Sequence, residues 1–291
     1  SQFMDSPRYS TGYTTLFNTL GMMVETHMLK PYKQRVLGTY EVMKNMVEIT
    51  EAEGEKIAQL RHQQTTHWAA GKTYPLAWEI DTTKSSTLKF KGYEGEMLTS
   101  DLTGAQRLKY DRSKPFTKDI VYKNYYKATD SVTIPKAYII PQGWHTIIDL
   151  LKLNTIALSQ LEKDTLMTVQ SYKIDTYDTR KNPYEGHYLH YNTKVKLVKE
   201  KVTFRAGDYI VDTNQNGMRY LLETLEPTAP DSFFNWNFFD TILQQKEGFS
   251  PYVWEDQAKM LLKTNPKLQI EYNIKIYTHG RHIRDFSKKF T

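Results

Sequence analysis

The sequence has no cysteine. That absence excludes disulfides, thiolate metal ligands and a cysteine nucleophile, yet it leaves the compartment open, because many periplasmic proteins also lack the residue. Long hydrophobic runs are missing too. Nothing approaches the roughly 18 apolar residues that span a bilayer, so no membrane span is expected. No basic start followed by an apolar stretch is present, and Ser1-Gln2-Phe3-Met4 reads as a cut into a longer protein. There is no Gly-x-Ser-x-Gly elbow, no Gly-x-x-x-x-Gly-Lys-Ser/Thr loop and no Gly-x-Gly-x-x-Gly turn, which removes the serine-hydrolase and nucleotide-binding readings.

What is present is an ordinary globular composition. With 291 residues and 39% hydrophobic content, the chain can bury one large core or two modest ones without staples. A net charge of +6 raises the question of nucleic acid, but 39 basic residues are interspersed with 33 acidic ones. The basic clusters are short, Lys194, Lys196, Lys199 and Lys201 in one place and Arg281, Arg284, Lys288 and Lys289 in another. They read as solvated faces, and no nucleic-acid partner is expected.

Along the chain, Ser6 to Tyr13 is a polar, turn-rich loop, and Leu20-Gly21-Met22-Met23-Val24 has the texture of a short strand buried on both faces. Pro31 opens a long amphipathic helix from Tyr32, with Val36, Tyr40, Met43, Met46, Val47 and Ile49 at helical spacing. From about Gly71 the texture changes to β-branched and aromatic stretches, Leu76 to Ile80 and Leu88 to Tyr93. A polar stretch from Asp101 to Asp130 follows. Strands are expected at Ala137 to Pro141, Met167 to Ile174, Val195 to Phe204 and from Tyr209. Helices are expected at Trp144 to Leu153, Met218 to Leu225 and Tyr252 to Leu262.

Glu25 closes the apolar run, where a carboxylate is unfavourable unless it is paired or used. The residues alone favour an ion pair to Lys30 or Arg35 over an active-site role. The histidine pairs His187/His190 and His279/His282 fall in stretches that read as strand or loop, where such spacing points side chains to opposite faces. They are expected to be surface or hydrogen-bonded residues, as are His62 and His67. His27, two positions after Glu25, is a weak site candidate. Asp208, Asp231, Glu223 and Glu226 read as surface carboxylates.

The runs Ser6-Pro7-Arg8-Tyr9-Ser10-Thr11-Gly12-Tyr13, Gly21-Met22-Met23-Val24-Glu25-Thr26-His27 and Leu29-Lys30-Pro31-Tyr32 resemble the end of the catalytic domain in zinc-dependent carboxypeptidases, especially the large bacterial ones. Pro135 to Pro141, Ala206 to Val211 and Leu222 to Phe233 are similar to segments that follow the peptidase domain there. The resemblance implies an α/β to α+β fold. Residues 1–68 would be the strand-and-helix end of the peptidase domain, and residues 69–291 an α+β accessory domain.

The same resemblance implies that Glu25 is the general base, taking a proton from water and passing it to the leaving amine. It makes Tyr9 and Tyr13 candidates for a substrate-contacting tyrosine, and Arg8 a candidate for meeting a substrate carboxylate. It implies a zinc cofactor, a peptide substrate and a periplasmic or secreted setting. None of the eight histidines is followed three residues later by glutamate, so the family's His-x-x-Glu zinc pair is absent. The zinc ligands are therefore expected in a missing N-terminal catalytic segment, and this chain alone is expected to be inactive. The competing reading is a non-catalytic module that binds peptide or glycan through its tyrosines and tryptophans.

Overall fold

The computed structural model describes residues 4–244 and 250–286. The chain divides into two compact units, Ser1–Asp240 and Thr241–Thr291. In the first unit a short helix α1 (Ser10–Thr15) precedes the long helix α2 (Tyr32–His67). Strands β1 (Thr73–Ile80), β2 (Ser86–Thr99), β3 (Gln106–Tyr122), β4 (Tyr126–Thr133) and β5 (Ala137–Ile140) follow. Then come helix α3 (His145–Leu153), strands β6 (Ser159–Gln160), β7 (Thr165–Thr179), β8 (His190–Phe204) and β9 (Tyr209–Asp212), and helix α4 (Met218–Leu225). The second unit contributes α5 (Pro251–Thr264) and α6 (Pro266–Phe286).

Every strand pair among the described residues is antiparallel: β1 with β4, β2 with β3, β7 with β8, and a three-stranded sheet in the order β5-β9-β6. Antiparallel sheets beside helices make the architecture α+β. The polar stretch from Asp101 to Asp130 is largely β3 and β4, which the sequence reading left without structure. Its strands alternate charged and apolar residues over long hairpins with little burial, so they carry a weak hydrophobic signal.

Helix α4 shows how the first unit is held together. Residues four apart on a helix share a face; in α4 Leu221 and Leu225 make one such pair and Met218 and Leu222 another. Tyr220 and Leu221 enter a cluster with Leu16, Ile140, Ile147, Ile148, Leu151, Ile156, Val211 and Phe233. Met218 and Leu222 enter a second cluster with Tyr74, Leu76, Ile134 and Ala229. The β5-β9 ladder, α3 and the end of α1 thus meet on one side of α4, and the β1-β4 ladder on the other. Phe233 and Phe234 are both buried.

Two expectations fail at the level of elements. Leu20 to Val24 is not a buried strand: the stretch has no regular structure, and Leu20 is 78% exposed. A strand buried on both faces needs neighbours on both edges, and no described strand pairs with this one. His279 and His282 lie within α6, not in strand or loop. The apolar positions of α2 recur as expected, but the helix buries none of its residues. Its Arg61 side chain donates to the Asn18 carbonyl and to Thr19 Oγ1, tying it to the segment after α1.

Candidate functional site

The segment that carries most of the candidate residues is built by a tight local fold. Tyr9 N–H donates to the Ser6 carbonyl at 3.0 Å and Tyr13 N–H to the Tyr9 carbonyl at 2.8 Å, winding the loop into α1. Gly12 is buried in this turn, and a β-carbon there would overlap the Ser6 carbonyl oxygen. Only glycine fits so close an approach of backbone to backbone.

Residues from far downstream grip this segment. Arg8 donates through its backbone N–H to Asp231 Oδ2 at 3.0 Å and through Nε to Oδ1 at 2.8 Å, with Nη2 2.5 Å from Oδ1. Trp236 Nε1–H donates to the same Oδ1 at 3.0 Å. The Asp231 side chain is 3% exposed and that of Arg8 22%. Burial by itself would push the Asp231 carboxyl up; hydrogen bonds from Arg8, Ser6 and Trp236 outweigh that and hold it below the usual carboxylate range. The Arg8 guanidinium also lies 5.5 Å from the Tyr184 ring centroid and 5.3 Å from that of Trp236.

Two further contacts complete the grip. Tyr13 donates its hydroxyl to Asn154 Oδ1 at 2.6 Å, and Asn154 in turn donates to the Tyr220 hydroxyl at 3.1 Å. Arg219 Nη1 donates to the Thr15 carbonyl at 2.6 Å. Arg8, Tyr9 and Tyr13 therefore sit together in one loop-and-helix segment. Glu25 lies beyond it, exposed in the irregular stretch before α2. Arg35, one of the cations expected beside Glu25, stacks over the Tyr32 ring at 5.6 Å. His27 accepts at Nδ1 from its own neighbour, Leu29 N–H, at 3.2 Å.

The carboxylates read as surface groups are enclosed. Glu226 is buried and accepts hydrogen bonds from the Tyr138 and Tyr172 hydroxyls. Burial pushes its carboxyl up, and the two tyrosine hydrogen bonds offset only part of that. Glu223 accepts from the Tyr74 hydroxyl, to which Arg219 also donates, and burial raises it as well. Asp208 is buried and accepts from the backbone N–H of Gln142 and of Arg205, fixing the turn before β9. Each of these carboxylates accepts from donors of its own.

His190 is hydrogen-bonded, as expected. Its Nε2 donates to Asp240 Oδ1 at 3.0 Å and its Nδ1 accepts from the Thr179 hydroxyl at 2.9 Å, a tautomer set by the acceptor-only carboxylate. His187 packs its ring against Trp236 and Phe238. Among the described residues, no group of three or more His, Asp or Glu side chains could hold a metal ion. The donor set that zinc requires is thus not assembled by these residues. No described helix is long and apolar enough to cross a membrane.

Sequence reasoning missed Asp231, Asn154 and Arg219 as partners of the N-terminal segment. No local signal could have shown them, since 223 residues separate Arg8 from Asp231.

Comparison with known proteins gives a partial likeness. The chain is 30% identical over 99 residues to "Carboxypeptidase 2" of Trichophyton tonsurans and 29% identical over 99 residues to that of Trichophyton rubrum. It is 28% identical over 97 residues to "Probable carboxypeptidase 2" of Arthroderma benhamiae. The match covers about a third of this chain and 18% of each relative's length. No protein-family model matches, and no solved structure does. The likeness supports a carboxypeptidase-related chain.

Proposed function

We propose that this chain is the C-terminal part of a zinc-dependent carboxypeptidase that releases C-terminal residues from peptides or peptide-like amides. What supports the reading is the stretch of about 99 residues similar to carboxypeptidase 2. In this proposal the zinc ligands belong to a segment outside this chain. Glu25 is the general base: it takes a proton from the attacking water and delivers it to the leaving amine. It is solvent-exposed here, so residues from outside the chain can complete a site around it. A periplasmic or secreted setting belongs to the same proposal.

The experiment compares the full-length parent with its Glu25→Gln variant on blocked dipeptides and measures bound zinc in both. A general base contributes about 10²- to 10⁴-fold, so the variant is expected to keep its zinc and lose rate in that range. A variant as active as the parent removes Glu25 from the chemistry. A parent that neither binds zinc nor cleaves overturns the enzyme reading and leaves the binding module, tested by titrating peptides and oligosaccharides into the 291-residue chain.

A further inference from the structure

The segment from Ser6 to Leu16 is not shaped by its own sequence alone. Three side chains contributed by later parts of the chain hold it: Asp231 on Arg8, Asn154 on Tyr13 and Arg219 on the Thr15 carbonyl. Leu16, at the end of the same segment, is buried in the core that α3, α4 and β9 share. The Arg8–Asp231 contact is the most specific of these. A carboxylate that accepts from a backbone N–H and from two nitrogens of one guanidinium fixes both the path of the chain and the rotamer of the arginine. The indole of Trp236 donates to the same Oδ1 as the guanidinium, and its ring, with that of Tyr184, lies against the guanidinium. Asp231 is therefore a rigid post, and Arg8 the strap fastened to it.

We infer that Asp231 is a positioning residue for substrate binding: acting through Arg8, it sets the conformation of the loop that presents Tyr9 and Tyr13. The inference rests on the carboxypeptidase reading above and extends it. It makes the α+β part a component of the binding apparatus instead of a detachable accessory. In this inference Arg8 holds the loop through Nε and Nη2 on Asp231 and does not itself take the substrate carboxylate.

The test uses the full-length parent with Asp231→Asn, Arg8→Gln and the double variant, assayed on one blocked dipeptide. Loss of loop positioning acts on binding, so each single variant is expected to raise KM about 10-fold with kcat within about twofold. Two residues acting through one contact are not additive, and the double variant is expected to match the worse single variant. Arg8→Lys keeps the charge but not the fork, and is expected to fall between wild type and Arg8→Gln. It covers the case in which Asp231→Asn fails to fold.

Hydrogen exchange in the 291-residue chain supplies a readout independent of catalysis, with the Arg8 and Tyr9 amides expected to exchange at least about 10-fold faster in Asp231→Asn. Faster exchange with an unchanged KM overturns the inference and leaves the carboxypeptidase reading intact. A raised KM in Arg8→Gln but not in Asp231→Asn also overturns it, because Arg8 would then touch substrate directly. A wild-type parent without activity overturns both.

Discussion

A carboxylate withdrawn from water favours its neutral form unless donors replace what it lost. Glu226 and Asp231 lie at opposite ends of that balance. Glu226 receives two tyrosine hydroxyls and remains raised. Asp231 receives a guanidinium, an amide and an indole, and is lowered. The consequences for stability have opposite signs. Between the ordinary carboxylate range and the raised value of Glu226, the folded protein keeps a proton that the unfolded chain has released. Stability therefore falls as pH rises through that window. For Asp231 the stabilisation is present above the ordinary range and is lost as pH falls through its lowered value. Glutamine at 226 can accept from one tyrosine and donate to the other hydroxyl oxygen while removing the titration. The Tm difference, Glu226→Gln minus wild type, is thus expected to become more positive from pH 5 to pH 8, measured by calorimetry. A difference that moves the other way means that the tyrosine hydrogen bonds outweigh burial. Neither environment was legible in the sequence, where Glu223, Glu226 and Asp231 look like any carboxylates near prolines. Tyr172, Tyr74 and Arg8 lie 54, 149 and 223 residues from Glu226, Glu223 and Asp231, and burial is set by tertiary packing.

At the scale of elements, legibility followed the strength of local pattern. The helices α2, α3, α4 and α5 stood out because apolar residues recur every three or four positions between prolines or polar breaks. The strands β5, β7 and β8 stood out through β-branched runs. The run Leu20 to Val24 has the composition of a buried strand but no pairing partner among the described residues, and composition cannot supply one. Periodicity also could not distinguish a buried stripe from an exposed one. Leu221 in α4 and Met43 in α2 both occupy apolar helical positions, yet the first is fully buried and the second exposed. Leu221→Ala is expected to destabilise the chain by about 2–5 kcal/mol, through lost transfer energy and a cavity. Met43→Lys is expected to change stability by no more than about 0.5 kcal/mol. Urea unfolding of both variants checks the contrast. A large loss for Met43→Lys would mean that the apolar face of α2 is covered in solution.

For the molecule as a whole, the question is whether the α+β part from residue 69 can stand without what precedes it. The sequence places a boundary there because the texture changes, and α2 does end at His67. Contacts cross that point, however. Leu16 is one of the most completely buried side chains, and it belongs to the same cluster as Leu151, Val211 and Leu221. Removing it leaves a hole in that cluster, an effect of about 2–5 kcal/mol for a leucine truncation. Removing Arg8 leaves the buried Asp231 carboxylate without its cation, an effect of roughly 3–5 kcal/mol for a broken buried pair and less where one partner is partly exposed, as Arg8 is. These effects share a neighbourhood and do not simply add. Against a total stability of about 5–15 kcal/mol for a typical domain, they remain a large share. A protein of residues 69–291 is therefore expected to unfold at a much lower urea concentration than the full 291-residue chain. A synthetic peptide of residues 4–19 added in excess should recover part of the loss by binding the folded state. The same peptide with Arg8→Gln should recover less. If the 69–291 protein unfolds at the same urea concentration as the full chain, the N-terminal segment only rests on the surface, and the density of its contacts has no energetic consequence.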